Sequence, residues 1–367
     1  MATSFIDTVK NTLNSFFAKK DSTPVVVGVD IGASSIKLVE MTVRSGKVVL
    51  NNYGSIAIGP YSNSPVGSTP NAKPEEIAKA LTELFAETTA SKNKVGVTLP
   101  TSSSLFRDIS IPDTITGDEI KTVITTEARK VIPVPGSEVD IDWLPIPNDI
   151  IPDNELTKNK NHYLLIALSH ESQKHTEGYM NLANIKPVMY ELEVFSSMRS
   201  IYEHERAPIV LIDLGAAHIK VSIIHEGVIR RAVSLDRGFN YLDNSIMSES
   251  LSFESARKIK HESSITGQDE YETKLRDAYV SLMKDVQSVI NEYEKYSSTA
   301  VIRAVILGGG AEMRNIVSYT ESVLGIPTEK SKPFARAEVP DLVVGIIDNI
   351  EPEFTIAAGI ALRLLNS

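Results

Sequence analysis

Residues 25–37 read VVVGVDIGASSIK, and residues 209–220 read IVLIDLGAAHIK. In both stretches a β-branched run ends at an aspartate, small residues with a glycine follow, and a second apolar run begins. This order predicts a strand, a tight turn and a second strand in each copy. The equivalent aspartates, Asp30 and Asp213, are 213 minus 30, or 183, residues apart. That separation is too long for a solenoid repeat and predicts a duplicated domain.

The turns of the two copies have the composition of a phosphate-binding loop. Gly32 and Gly215 permit backbone conformations that are closed to other residues, and they let amide groups approach a phosphate. Ser34 and Ser35 add hydroxyl donors to the first loop, and Lys37 either faces the phosphates or points outwards. A hairpin with an Asp-Gly turn gives the same letters in many proteins, so the prediction depends on the two matched copies.

Two further features extend the predicted site. Asp30 and Asp213 would face one another across a cleft, and they are the predicted Mg2+ residues because this ion prefers carboxylate, water and phosphate oxygens. A buried-strand run at residues 304–307 leads to a Gly-Gly-Gly loop at residues 308–310 and then to a helical stretch. The amides of a helix N-terminus suit an anion or a nucleobase, although a closely packed helix entry would also need these glycines.

Length and composition limit the classes of function. At 367 residues the chain is long enough for two domains, because single cores rarely exceed ~250 to 300 residues. Its formal charge of -10 disfavours nucleic-acid binding, and the absence of cysteine excludes disulfides and zinc-thiolate sites. No apolar run approaches the ~20 residues of a membrane span, and no signal-peptide core is present. We therefore expect a cytoplasmic protein that binds no nucleic acid.

The first 23 residues differ from the rest of the chain. Apolar residues recur at helical spacing between residues 3 and 20, which predicts an amphipathic helix followed by a linker up to residue 23. The apolar positions are Phe5, Ile6, Val9, Leu13, Phe16 and Phe17. Such a helix either rests peripherally on an anionic membrane surface or packs on the protein itself or on a partner.

The two phosphate loops and the glycine loop, in this order, resemble the actin-like ATPase superfamily, which includes actin, sugar kinases, chaperone ATPases, FtsA and MreB. Within it, the connecting pattern is similar to the PilM family of type IV pilus assembly, over about residues 24–367. The stretches that carry this likeness include Ser110-Ile111-Pro112, Pro133-Val134-Pro135, Asn184-Ile185-Lys186-Pro187, Leu324-Gly325-Ile326-Pro327 and Lys332-Pro333-Phe334.

The resemblance implies an α/β protein with the actin-like ATPase fold. Two duplicated RNase H-like domains would enclose ATP and Mg2+, and an FtsA-type subdomain, 1C, would be inserted in the first domain. The implied subdomains are 1A at residues 24–105, returning at 181–206 and 352–367; 1C at 106–180; 2A at 207–240 and 300–351; and a mostly helical 2B at 241–299.

The resemblance also implies roles for single residues. Lys260 matches a family lysine that contacts ribose and adenine, whereas Arg257 stands where glutamate is usual. Glu193 matches a family acid that positions or activates water, although a glutamate at a helix start is more often a capping or surface residue. The second loop reads Ala-His-Ile at residues 217–219, where threonine or serine is usual, so hydrolysis is expected to be weak or absent. The predicted nucleotide contacts are Gly32, Ala33, Ser34, Ser35, Lys37, Gly215, Ala216, Ala217, Lys260, Gly308, Gly309, Gly310 and Met313.

For function, the resemblance implies an ATP-binding scaffold at the inner face of the cytoplasmic membrane. Its partner would be the cytoplasmic N-terminal segment of a PilN-like inner-membrane protein, held in a groove between 1A and 1C. Further expected contacts are other pilus assembly components, including the assembly ATPase, and self-association. One alternative is an FtsA-like division filament protein, although such chains carry an anchor after the last helix. The other is a sugar-kinase-type phosphotransferase, but Asp140 and Asp142 are more simply the solvent face of a strand.

Overall fold

The computed structural model describes residues 24–152, 157–341 and 344–367, so the predicted helix at residues 3–20 lies outside the described residues. The described chain forms sheets of six, five and three strands. The strands are β1 (Val26–Ile31), β2 (Ser35–Arg44), β3 (Lys47–Ala57), β4 (Val95–Leu99), β5 (Ser104–Pro112), β6 (Val139–Ile146), β7 (Lys160–Ser169), β8 (Met189–Leu192), β9 (Ile209–Leu214), β10 (Ile219–His225), β11 (Val228–Leu235), β12 (Arg303–Leu307), β13 (Thr328–Lys330) and β14 (Ala337–Glu338). The α-helices are α1 (Pro74–Thr88), α2 (Glu119–Val131), α3 (His170–Leu182), α4 (Glu193–Ile201), α5 (Asn240–Ile246), α6 (Phe253–Glu262), α7 (Glu270–Ser297), α8 (Ile316–Leu324), α9 (Val344–Ile350) and α10 (Thr355–Leu365).

The two larger sheets repeat one topology. The first has the order β14-β3-β2-β1-β4-β8, and the second has the order β11-β10-β9-β12-β13. In each, an antiparallel three-strand meander is extended by parallel strands: β4 beside β1 and β8 beside β4 in the first, β12 beside β9 and β13 beside β12 in the second. The duplication predicted from the two loops is confirmed, and both loops lie at the carboxyl end of the central strand of a sheet.

Two helices, α4 and α10, pack against each other and lie between the two larger sheets. Small residues of α10 pack on the first sheet, where a Cβ added at Gly28 in β1 would lie 2.0 Å from the Ala357 carbonyl oxygen. The second sheet meets the same helix pair through Ile201 and Ile356, which share a core with Ile209 and other strand residues. Because both faces of β1 are covered, its residues from Val26 to Asp30 are all buried.

The three-stranded sheet has the order β5-β7-β6 and is inserted in the chain between β4 and β8. Helix α2 covers one face, with Ile124 and Ala128 in the core of this unit. The following helix, α3, packs instead on α1, and Met180 joins the core of the first sheet. Subdomain 1C, its FtsA-type character and the predicted subdomain boundaries stay predictions.

Within the described parts of the chain, no helix has both the length and the apolar character that crossing a membrane requires.

Candidate nucleotide site

A cavity of about 350 Å³ lies where the turns of the two larger sheets face each other. Its wall is formed by both phosphate-type loops, the glycine loop after β12, helix α6 and the segment before α10. All the predicted nucleotide contacts and both predicted metal residues line it: Asp30, Gly32, Ala33, Ser34, Ser35, Lys37, Asp213, Gly215, Ala216, Ala217, Lys260, Gly308, Gly309, Gly310 and Met313. Duplication therefore brings two loops that are 183 residues apart into one site.

The loop glycines are required by close backbone contacts. The Gly32 amide donates to the Ser35 carbonyl oxygen at 3.0 Å, which closes the turn between β1 and β2, and a Cβ at Gly32 would lie 3.1 Å from that oxygen. In the second loop, a Cβ at Gly215 would lie 2.7 Å from the His218 carbonyl oxygen. Gly308 has a φ of +82° and its added Cβ would lie 2.3 Å from Asp213 Oδ1. Only glycine lets this loop adopt that conformation so close to the aspartate.

The two predicted metal residues have different surroundings. Asp30 is buried, and its Oδ1 accepts a hydrogen bond from the Thr98 hydroxyl at 2.9 Å. Asp213 Oδ2 instead lies 3.3 Å from the Lys220 ammonium. Burial raises the pKa of the Asp213 carboxyl, and Lys220 opposes that rise. The two equivalent aspartates of the repeat therefore differ in their hydrogen-bond and ion-pair partners.

Glu193, the predicted catalytic acid, does not line the main cavity. At the start of α4, its Oε1 accepts from the Thr101 amide at 2.6 Å and its Oε2 accepts from Lys220 Nζ at 2.7 Å. It faces a separate space of about 10 Å³ that Asp213 and Lys220 also line. That space is the size of about one water molecule. Both Glu193 oxygens are thus engaged by the protein, and its catalytic role stays a prediction.

Lys220 is a site residue that we did not predict, although the repeat contained the signal. It pairs across the β9–β10 ladder with Asp213, as Lys37 pairs across the β1–β2 ladder with Asp30. The two lysines are 220 minus 37, or 183, residues apart, the same offset as the aspartates. Burial disfavours the charged Lys220 ammonium, but Glu193, Asp213 and Asp30 together raise its pKa above the ordinary lysine value.

The residues present do not fit an Mg2+ ion shared by Asp30 and Asp213. Such an ion needs near-octahedral oxygen ligands at ~2.0–2.1 Å and usually keeps several waters. On the Asp213 side that space is next to the Lys220 ammonium, which would repel a divalent cation. In residues 24–152, 157–341 and 344–367, no three Asp, Glu or His side chains gather as a metal-ligand set, so an ion at this place would take most of its ligands from phosphate and water.

On the α6 side of the cavity, Lys260 and Arg257 have distinct environments. Lys260 Nζ donates to Asp243 Oδ2 at 2.5 Å and lies 5.0 Å from the centre of the Phe239 ring. Burial lowers the pKa of Lys260, and Asp243 opposes that shift. The Arg257 guanidinium lies against Gly67 of the first domain, where an added Cβ would be 2.0 Å from its Cζ. Arg257 therefore contacts the opposite domain at the cavity wall.

Two glutamates at the cavity, Glu312 and Glu353, were also not predicted. Glu312 follows the glycine loop, and Glu353 lies in the 3-10 turn before α10. Burial, followed by the charge of Glu353, raises the pKa of Glu312 to about 7, against the opposing effects of Lys330, Lys37 and Arg257. A single glutamate after a glycine loop carries no sequence signal of burial, so the sequence did not predict Glu312 as a site residue.

The position of Glu312 predicts a pH dependence of nucleotide affinity. An anionic nucleotide in the same cavity disfavours the ionised carboxylate, so binding is accompanied by proton uptake, and affinity falls as pH rises through about 7. We expect roughly a two- to fivefold decrease in affinity from this group, measured by calorimetry between about pH 6 and 8. Because the nucleotide phosphates titrate in the same range, Glu312→Gln is the control. An unchanged pH profile in that variant would contradict the assignment.

Comparison with known proteins gives concordant results. Residues 28–365 match the sequence profile of the family described as type IV pilus assembly protein PilM. Among solved structures, a PilM-PilN type IV pilus biogenesis complex superposes with a TM-score of 0.75 at 22% identity, covering 93% of this chain and 98% of that chain. EutJ, an ethanolamine utilization protein from Carboxydothermus hydrogenoformans, gives 0.53 at 15% identity, with 97% and 99% covered. MreB5 of Spiroplasma citri bound to AMPPNP gives 0.51 at 13% identity, with 93% and 96% covered. The actin-like ATPase fold expected from the sequence is confirmed.

Proposed function

The chain belongs to the family of type IV pilus assembly protein PilM, and on that premise we propose that it is a nucleotide-binding scaffold of the pilus assembly machinery. ATP in the cavity would hold the two duplicated domains at a fixed relative orientation. The single observation that carries this proposal is the cavity of about 350 Å³ lined by equivalent loops of both sheets. A ligand that contacts both loops stabilises the relative orientation of the two domains in which it can contact both loops at once.

The partner in this proposal is the cytoplasmic N-terminal segment of a PilN-like protein, bound in a groove between the first domain and the inserted unit. Support comes from the structural likeness to a PilM-PilN complex. In this chain the inserted sheet and the first domain share a core that includes Leu99, Ile166 and Phe195. Phe195 lies in α4, two residues after Glu193, so α4 connects the core between the first domain and the inserted unit with the small space that Asp213 and Lys220 line. Binding of PilN would place the protein at the inner face of the membrane.

Turnover is a minor part of the proposed function. The acid that would activate water, Glu193, is hydrogen-bonded to Lys220 and to the Thr101 amide. The loop that would orient water has alanine, histidine and isoleucine at residues 217–219. We therefore infer that ATP acts as a bound ligand that is hydrolysed slowly or not at all. A phosphotransferase would need a base that is free to accept a proton from its substrate.

Filling the cavity tests the site directly. Gly309 is exposed at the cavity wall, and a Cβ added there would meet no protein atom within 4 Å. Gly309→Leu should therefore leave the fold intact and weaken ATP binding by about tenfold or more, because the side chain takes space that the ligand needs. Calorimetry and thermal unfolding measure the two effects. Gly136→Leu, at another exposed glycine with open space around it that does not line the cavity, is the matched control.

The same variant separates the two halves of the proposal. A peptide with the sequence of a PilN-type cytoplasmic segment should bind the wild type more tightly with ATP than without it. In Gly309→Leu the affinity should no longer depend on ATP. Equal ATP affinity in Gly309→Leu and Gly136→Leu would refute the nucleotide site, whereas absence of peptide binding in every condition would refute only the partner.

A further inference from the structure

The side chain of Lys220 occupies an unusual place for a lysine. It borders both the main cavity and the small space beside Glu193. Its ammonium lies 2.7 Å from Glu193 Oε2 and 3.3 Å from Asp213 Oδ2, and its side chain is 21% exposed. A cation is thus fixed between two carboxylates, one of which, Asp213, is a predicted metal residue.

Lys220 is held there by the backbone as well as by its ion pairs. Its Cα lies directly opposite that of Asp213 in the β9–β10 ladder, and two carboxylates from different elements fix the end of the side chain. An ammonium has three donors, and Glu193 and Asp213 account for two of them. Because Lys220 also lines the main cavity, we expect the third donor to be available to an oxygen of a ligand bound there.

We propose that the Lys220 ammonium is the built-in cation of the nucleotide cavity, so that this protein binds the triphosphate of ATP without Mg2+. This inference rests on the proposed nucleotide site and sharpens it. Lys220 neutralises Asp213, which would otherwise repel the phosphates, and it supplies a positive charge whose position does not depend on a bound ion. The same contact keeps Glu193 from acting as a base, so metal independence and slow turnover have one cause.

Lys37 provides the matched comparison within the chain. It occupies the equivalent position in the first repeat, opposite Asp30, and its Nζ lies beside the first loop, 3.7 Å from a Cβ placed on Gly32. No ion pair between Lys37 and a carboxylate is formed among the described residues that surround it. Lys37 is therefore expected to bind phosphate directly, without replacing a metal ion.

The test is the affinity of the full chain for ATP, measured by calorimetry in excess Mg2+ and in excess EDTA. For the wild type we expect the two dissociation constants to agree within about threefold. Lys220→Met should weaken binding in EDTA by about tenfold or more, with part of that loss recovered in Mg2+. Lys37→Met should weaken binding by a similar factor in both conditions. Lys220→Arg, which keeps the cation, should retain the wild-type ratio.

Each outcome has a defined meaning. Wild-type binding in Mg2+ that falls more than about tenfold in EDTA overturns the inference and leaves the nucleotide site standing. Binding in neither condition overturns the proposed function itself. Because Lys220→Met leaves Glu193 and Asp213 without a counter-charge, its folding is checked by thermal unfolding. The wild-type comparison needs no variant and decides the question even if Lys220→Met does not fold.

Discussion

Replacing Gly359 by alanine is expected to destabilise the protein by about 3 kcal/mol or more, which is the largest effect that we expect from adding one methyl group. The added Cβ would lie 1.9 Å from the Ser196 carbonyl oxygen and 2.4 Å from its carbonyl carbon. These are backbone atoms of α4, so no rotamer change relieves the contact. Urea unfolding of the variant, compared with wild type, measures the loss.

The effect should be large because α4 and α10 cannot separate freely. Arg199 donates to the Gly359 carbonyl oxygen at 3.1 Å and forms an ion pair with the buried Glu191. Arg363 of α10 pairs with the same Glu191 at 2.9 Å. Moving α10 to make room for a methyl group would stretch these contacts and would also disturb the packing of the helix on Gly28.

Gly178→Ala is the matched control for this prediction. Gly178 lies inside α3, and an added Cβ would meet no atom within 4 Å. Alanine in a helix interior is favoured over glycine by roughly 0.5–1 kcal/mol, so this variant should be slightly more stable than wild type. If Gly359→Ala behaved like Gly178→Ala, the close contact between α4 and α10 would not exist in solution.

Much of the candidate site was predictable because it is made of local backbone loops. The pattern of strand, aspartate and glycine is sufficient to place Asp30 and Asp213 at the ends of strands. The duplication then brings the two copies together. Lys220 could have been found by applying the repeat offset to Lys37. Its pairing with Glu193 could not, since that contact joins residues 27 apart on different elements and depends on how α4 meets the second sheet.

The packing of the central helix pair could not be predicted from the sequence to the same extent. Residues 357–361 are mostly small, which is compatible with close approach to another element but does not identify that element. The contact of Gly359 with Ser196, like that of Gly28 with Ala357, follows from the crossing of α4 and α10, and the sequence pattern does not specify crossings. Burial of Glu312 has the same origin, because neighbours distant in the chain enclose it.

Asp108→Ala is expected to destabilise the protein by about 3 kcal/mol, the low end of the range for breaking a buried pair, since the Asp108 side chain is 23% exposed. Asp108, in β5 of the inserted sheet, accepts two hydrogen bonds from Arg230 in β11, at 2.7 and 3.2 Å. The Arg230 side chain is fully buried, so removing the carboxylate leaves a guanidinium without a counter-charge. Chemical denaturation measures the loss, and peptide binding measures whether the inserted unit keeps its orientation.

Two further variants distinguish a buried pair from a general effect of charge. Asp140→Ala removes a carboxylate from the same sheet whose side chain is 72% exposed and pairs with His170, so stability should change little. Adding Arg230→Met to Asp108→Ala removes the uncompensated charge and should recover part of the lost stability. If the double variant were less stable than Asp108→Ala alone, Arg230 would contribute mainly through its packing. Recovery would instead identify the pair as an electrostatic contact that joins the inserted unit, which borders the proposed partner groove, to the second domain.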